Sequence, residues 1–293
     1  MAREKYRFNT PAGRVFDVFN VVILVVIGLI ALVPFLYVLA GSFATEAEIA
    51  TRPFFLWPET FSLKAYSTIL TSDAFVRALV TTVLVTAVGT GIQLLLTASM
   101  AYPLSKANLP GGRVMLMLIV FTMVFSGGMI PTFLVVKELG LLDTYWALIL
   151  PAAINPFSLI IIKNFFQQLP KELEESAMID GANEVRTMWS VILPLSKPVL
   201  ATFALFYAVG IWNDFMSPLL YLNDSSMWTL QMFLRQVTAA TDLSMLQSDA
   251  SEMPPAQGIK FAVIIVATLP ILLFYPFLQK HFAKGMLLGS VKG

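Results

Sequence analysis

The chain has 293 residues, of which 57% are hydrophobic and only 13% are charged, against roughly 25% charged in an average soluble protein. That much apolar surface excludes an ordinary soluble fold and points to lipid as the solvent. A net charge of +1 gives no signal for nucleic acid, the absence of cysteine excludes disulfides and thiolate metal sites, and the single histidine, His281, argues against a histidine-based metal centre.

Arg3, Lys5, Arg7 and Arg14 precede a run without charge between Asp17 and Glu46. A secretory signal has an apolar core of only about 7–15 residues, so this longer run is expected to remain as the first membrane helix. Roughly 20 mostly apolar residues span a bilayer, and six stretches qualify: 18–43, 78–105, 114–136, 144–166 (with Lys163 near its end), 198–222 (interrupted by Asp214) and 261–279. Open sheet edges cannot be satisfied in lipid, so these are helices. The expected class is all-α, a single polytopic membrane domain over 1–293.

Orientation follows from the Lys/Arg bias of the loops. With the N-terminus inside, thirteen of the 19 Lys and Arg fall inside and six outside; six spans then put both termini in the cytoplasm. Hydrophilic segments 44–77 and 223–260 lie outside, and 170–197 lies inside. No repeat of 20–50 residues is present. Pro34, Pro131, Pro151, Pro156, Pro218 and Pro270 fall within the spans. Such prolines mark either ordinary tolerance in membrane helices or bent helices around a translocation path.

The most informative stretch is 169–198, LPKELEESAMIDGANEVRTMWSVILPLSKP. Pro170 suits the first turn of a helix, and 171–179 reads as a short helix with Leu173, Ala177 and Met178 on one side. Asp180-Gly181 is a turn signal, and Asn183 can cap a second helix. In that helix Val185, Met188, Trp189 and Ile192 form an apolar stripe. A structured amphipathic element needs a partner. Lipid would favour Lys and Arg, but the first helix carries Glu172, Glu174 and Glu175, which fits a basic groove on a protein better.

This stretch resembles the EAA motif of bacterial ATP-binding-cassette (ABC) importer permeases: Glu-Ala-Ala, three residues, Gly, nine residues, Ile-x-Leu-Pro. Here it is Glu175-Ser176-Ala177, Gly181 and Val191-Ile192-Leu193-Pro194; Ser176 and Val191 depart from the pattern without changing its spacing. The resemblance implies the type I importer (MetI-like) permease fold and a coupling loop over 170–197 seated in a cleft of an ATPase subunit. Glu175 would be the acid that pairs with a basic residue there, Ala177 would allow close approach and Gly181 would make the turn. Glu174, Ser176, Asp180, Ala182, Leu193 and Pro194 complete that interface. Loss of a charge partner in such a contact costs about 2–5 kcal/mol. Trp212-Asn213-Asp214-Phe215 and the tail GMLLGSVKG are similar to carbohydrate-type members. In these a tail such as 284–293, with Gly289, Val291 and Lys292, reaches between the ATPase subunits. The subgroup most resembled handles oligosaccharides of acidic polysaccharides, alginate and pectic fragments included; a neutral oligosaccharide or another small solute stays open.

An acid within a membrane helix costs roughly 2.5–3.5 kcal/mol on insertion scales, so Asp214 is a candidate for the substrate path, for structural pairing or for the outer interface. Asn213, Asn155 and Gln93 are weaker path candidates, since polar residues between membrane helices often only bond a neighbour. Trp57, Trp146, Trp212 and Trp228, with Tyr66 and Tyr221, fall near predicted outer ends and read as an aromatic belt, with sugar stacking the alternative for Trp212 and Tyr221. The same resemblance implies that segment 223–260 contacts a substrate-binding protein.

No Gly-x-x-x-x-Gly-Lys-Ser/Thr loop occurs, so the chain is expected to be a non-catalytic subunit that binds no cofactor. ATP and magnesium would sit on two partner ATPase subunits. The resemblance further implies a second permease chain, an extracytoplasmic solute-binding protein, and a place in the bacterial inner membrane. A secondary transporter would need several mid-membrane ionisable groups and inverted repeats, where one acid and no repeat are found. No His-Glu-x-x-His and no pair of membrane aspartates supports an intramembrane enzyme.

Overall fold

The computed structural model describes residues 11–247 and 257–289, with side-chain surroundings for 13–239 and 257–273. All regular structure among them is helical. The chain divides into two compact units, Met1–Thr71 with Val237–Val266, and Ser72–Gln236 with Ala267–Gly293. Each has its own core, and the sequence shows no boundary at either point.

In the first unit, α1 (Pro11–Ser42) is followed by α2 (Glu46–Thr51) and α3 (Lys64–Leu70). From Val15 to Leu36 the large apolar side chains of α1 are exposed all round, as expected of a helix whose solvent is lipid. Only its last turns are covered, where Ala40, Ala44, Ile49 and Phe55 form a small core with Tyr37 and Phe261. Gly41 is required there, because a Cβ would stand 2.5 Å from the Phe261 ring.

The loop between α2 and α3 is fastened by one buried acid. Glu48 accepts hydrogen bonds from Arg52 Nη1 (2.6 Å), Glu59 N (2.8 Å) and Thr60 N (3.2 Å). The Glu59 N–H is the largest influence holding its carboxyl below the ordinary value of 4.5; Thr60 N–H and Arg52 act the same way, and burial opposes them.

The second unit is organised on α4 (Asp73–Ser105). Its buried face is spaced by three or four residues and is made of small and hydroxylated side chains, including Ala78, Thr82, Gly89, Thr97 and Ala101. Such residues let membrane helices approach closely. At Gly89 a Cβ would stand 2.8 Å from Ile211 Cδ1. Around α4 lie α5 (Gly112–Val124), α6 (Met129–Glu138), α7 (Trp146–Ile149) and α8 (Pro156–Gln167), then α9 (Lys171–Ile179), α10 (Glu184–Thr187) and α11 (Leu193–Leu195). The chain continues through α12 (Lys197–Trp212) and α13 (Met216–Tyr221), and then through α14 (Leu230–Gln247) and α15 (Gln257–Gly289), each of which has residues in both units. The main packing of α4 is with α8 and α12, and Thr97 and Tyr207 share a buried hydroxyl hydrogen bond of 3.1 Å.

Of the six expected spans, only some are single long helices among the described residues. Among the described residues two helices are long and apolar enough to cross a membrane, Gly13–Ser42 and Asp73–Ser105, or up to four if two bent pairs each count as one. The predicted span 114–136 is α5 and α6, bent by 116° at Gly127-Gly128, where Gly128 has φ +85° and helix propensity is lowest. The span 144–166 is α7, an irregular stretch at Pro151, and the twelve-residue α8. The span 198–222 is α12 and α13, separated at Asn213 to Phe215. The stretch 261–279 lies within α15, of which Gln257–Leu273 is the described apolar part.

The Glu48 clamp predicts a defined acid response. Because the folded carboxyl is held below its ordinary value, its stabilisation is complete above about pH 4.5 and is lost as the pH falls through the lowered value. Glu48→Gln should lack this acid-dependent component in thermal melts. In Glu48→Ala, hydrogen-exchange protection at the Glu59 and Thr60 amides should fall about tenfold or more, with α4 unchanged.

Candidate functional site

Residues 170–197 fold as an ordered unit. In α9 the chain ends through paired reversals: Gly181 N–H donates to Met178 O (3.0 Å) and Ala182 N–H to Ala177 O (2.9 Å). This is the Schellman arrangement, which needs a left-handed residue at its turn. Gly181 supplies it at φ +81°, and nothing lies within 4 Å of where a Cβ would be, so its requirement is one of backbone alone. Asn183 then caps α10, its Oδ1 accepting from Arg186 N at 2.8 Å. A π-helical turn, Met188–Ile192, leads into α11, and the chain bends by 83° before α12 around the fully buried Ser196.

One cation holds this loop to α4. Lys106, just past the end of α4, forms an ion pair with Glu174, stands 3.7 Å from Glu184 Oε2 and lies over the Tyr102 ring at 4.3 Å. Tyr102 O–H donates to Glu184 Oε2 at 2.7 Å. Gln167 Nε2 donates to Ser105 O, adding a link from α8. The carboxylate of Glu174, a residue expected at the partner interface, is mostly covered and engaged within the chain. The apolar stripe is corrected too. Met188 and Ile192 are buried, whereas Val185 and Trp189 are exposed, because the π-helical turn changes the angular step that the 3.6-residue period assumes.

What the loop presents outward is Glu175, Ser176, Asp180 and Gly181, with Pro194 further on. Ala177, Ala182 and Leu193 are half-buried. Ile179 stands beside them 86% exposed. Leu193 and Trp189 line one side of an apolar pocket of about 310 Å³ whose other wall is α4 at Leu94, Leu95 and Ala98.

The path candidates resolve into local roles. Asp214 sits in the break between α12 and α13, and its Oδ1 accepts from Met216 N (3.0 Å) and Ser217 N (3.1 Å). It caps a helix start, which accounts for an acid in an apolar stretch. Asn213 is exposed and donates to Val209 O at 2.9 Å. Asn155 is exposed and caps α8 through Ser158 N at 3.0 Å. Trp212 is buried, donating from Nε1 to Ala267 O at 2.9 Å, and Tyr221 is buried against Phe133. Gly289 is the last residue of α15; Val291 and Lys292 lie outside the described residues.

Sequence reasoning missed Lys106, Tyr102 and Glu184, whose only signal is a tyrosine and a lysine four apart at the end of a span. It also missed Asp143. That residue adopts φ +56° and accepts from Asn223 N (2.5 Å), Asn223 Nδ2 (3.0 Å) and Asp224 N (3.3 Å). Hydrogen bonds from the Asn223 side chain, then its backbone, hold the Asp143 carboxyl below the ordinary aspartate range.

The site thus lies in a helical protein built on one long packed helix, with broken helices around it and an ordered acidic loop. Residues 93–288 match the family described as "Binding-protein-dependent transport system inner membrane component", and the chain belongs to that family. It is similar to Protein LplC of Bacillus subtilis (strain 168), 62% identical over 100% of both chains. It is also similar to the Polygalacturonan/rhamnogalacturonan transport system permease protein YtcP of the same organism, 54% identical over 96% of this chain and 99% of that one. Among solved structures it resembles, at TM-score 0.86 and 31% identity over 94% of this chain and 99% of the other, a chain of a bacterial ABC transporter involved in the import of the acidic polysaccharide alginate. The expected importer-permease fold is thereby established.

The lysine clasp predicts unequal couplings. In double-mutant cycles of thermal stability, Lys106 with Glu174 should couple by about 1–3 kcal/mol, as a partly buried charged hydrogen bond does. Lys106 with the more exposed Glu184 should couple by less than about 1 kcal/mol.

Proposed function

We propose that this chain is one of two permease subunits of an ATP-driven importer of oligosaccharides, acidic ones in particular, and that residues 170–197 are the element through which the ATPase subunits act on it. The observation that carries this reading is the division of labour among the acids of α9: Glu174 is engaged by Lys106, while Glu175 on the next position is exposed beside the exposed Ile179. An acid with an apolar neighbour on a rigid support suits a cleft with a basic residue in it. The acidic-sugar class is supported by two likenesses, to a permease named for polygalacturonan and rhamnogalacturonan transport and to a transporter described as importing alginate.

In this reading the chain crosses the inner membrane six times with both termini in the cytoplasm, by α1, α4 and α15 and by the three broken stretches α5–α6, α7–α8 and α12–α13. It is not itself a catalyst; ATP and magnesium are held by a pair of ATPase subunits. A loaded solute-binding protein docks outside, ATP closure moves the loops together, and the cavity opens outward. The sequence of states requires that each ligand favour one conformation over the other. In this scheme Asp214 is read as a helix cap, supported by its hydrogen bonds from Met216 N and Ser217 N.

The test is ATPase activity of the assembled complex in liposomes, titrated with binding protein and with acidic or neutral oligosaccharides. Stimulation by the binding protein loaded with an acidic oligosaccharide is expected. Glu175→Ala should insert normally and lose assembly or stimulated ATPase, with a penalty of about 2–5 kcal/mol in subunit association. Unimpaired transport by Glu175→Ala would remove the coupling assignment, and stimulation only by neutral sugars would remove the substrate class.

A further inference from the structure

The loop between α2 and α3 carries a row of apolar side chains that its own fold does not cover. Phe54, Leu56, Trp57, Phe61 and Leu63 are all exposed, Trp57 to 82%. The segment is not loosely attached. Phe55 is buried in the small core, Ser62 N–H donates to Phe43 O at 2.7 Å, and Glu48 fixes the backbone at Glu59 and Thr60. A rigid loop is therefore holding large apolar groups outward.

Their level relative to α1 is defined by ring contacts. Phe54 stacks on Tyr37 (centroids 5.5 Å apart, 13° between planes) and Phe61 on Phe43 (5.0 Å, 14°). The exposed apolar surface of α1 between residues 18 and 36 is about 28 Å long at roughly 1.5 Å per residue, close to the roughly 30 Å of a bilayer's hydrocarbon core. Asp17 ends it on one side. Tyr37 therefore stands at the other hydrocarbon boundary, where amphipathic rings collect, and Phe54 and Phe61 are stacked beside that boundary. The charges within the segment do not oppose this position, since Arg52 pairs with Glu48 (2.6 Å) and with Glu59 (3.2 Å).

We propose that residues 53–63 form a membrane-interface anchor, with Phe54, Leu56, Trp57 and Phe61 seated between headgroups and acyl chains of the leaflet in which α1 ends. The occupant is lipid because Phe54 and Phe61 are stacked on Tyr37 and Phe43 at the end of the exposed apolar length of α1, where that length matches a bilayer. The anchor would fix the depth of α1 and hold the Glu48 loop against the bilayer surface. It depends on α1 crossing the membrane and not on the full count of crossings or on the transported solute.

The absence of cysteine from this chain permits a direct test by single-site spin labelling. Trp57→Cys and, as a second site, Leu56→Cys are labelled in the full chain within the assembled transporter, with any partner cysteines replaced by serine. The complex is reconstituted in phosphatidylethanolamine–phosphatidylglycerol vesicles. Val25→Cys on α1 serves as the lipid reference and Thr68→Cys on α3 as the aqueous one. Power saturation with oxygen and with a neutral nickel chelate reads depth. The expected result is several-fold greater accessibility to oxygen than to nickel at both loop sites, between the two references. Three outcomes overturn the proposal: accessibility to nickel equal to that at Thr68, showing a water-exposed loop; low accessibility to both reagents, showing that a protein subunit covers the patch; or immobilisation appearing only when loaded binding protein is added, showing a docking surface.

Discussion

Backbone N–H groups freed at a helix break find no water inside a bilayer, so each break must carry its own acceptor. At two breaks within apolar stretches short polar side chains meet that requirement: Asn155 accepts from Ser158 N at the start of α8, and Asp214 from Met216 N and Ser217 N at the start of α13. The same chemistry recurs in the 170–197 loop, where Asn183 caps α10 and Gly181 allows the end of α9 to close on its own carbonyls. The break between α5 and α6 instead uses Gly128 at φ +85°, with no side-chain cap.

The same economy governs the acidic loop. A helix such as α9, nine residues long, is too short to be stable by itself; it is held by the Schellman closure at one end and by Lys106 through Glu174 on its flank. The lysine also approaches Glu184 in α10 and rests on the Tyr102 ring, so one cation organises two short helices against the end of α4. This leaves the adjoining positions, Glu175 and Ile179 among them, unoccupied and well oriented. Rigidity at the loop and accessibility at its outer face thus come from the same set of contacts.

Much of this was legible in the sequence because local rules suffice for it. The bounds of α9, the Asp180-Gly181 turn and the Asn183 cap follow from turn and capping chemistry, and the apolar mass of α1 and α4 from composition alone. The span count was not, because hydropathy over 114–136 or 198–222 sums apolar residues without regard to a 116° bend or a capped gap. The stripe over Val185 to Ile192 misled for a related reason: a π-helical turn shifts the period. Lys106 and Glu48 were invisible for a different one. Apart from Arg52 and Tyr102, each four residues away, their partners lie at distances along the chain that no periodicity encodes, and Thr45 to Glu48 even has the spacing of a capping box, although the Glu48 carboxylate is directed to Arg52 and to residues 59 and 60 instead.

The breaks also bear on how such a chain reaches its membrane. At roughly 1.5 Å per residue, α5 and α8 are each about 20 Å long or less, short of the hydrocarbon thickness, whereas α1 and α4 exceed it. Of these four helices, α1 and α4 are long enough to leave the insertion machinery as self-sufficient units. The broken segments have their complement of contacts only once the small-residue face of α4 is available to receive α8 and α12, so their integration is a step of tertiary folding as much as of partitioning into lipid. Biogenesis of this chain is accordingly ordered by its second long helix, and a lesion on the buried face of α4 would be felt first as failed insertion of segments that follow it.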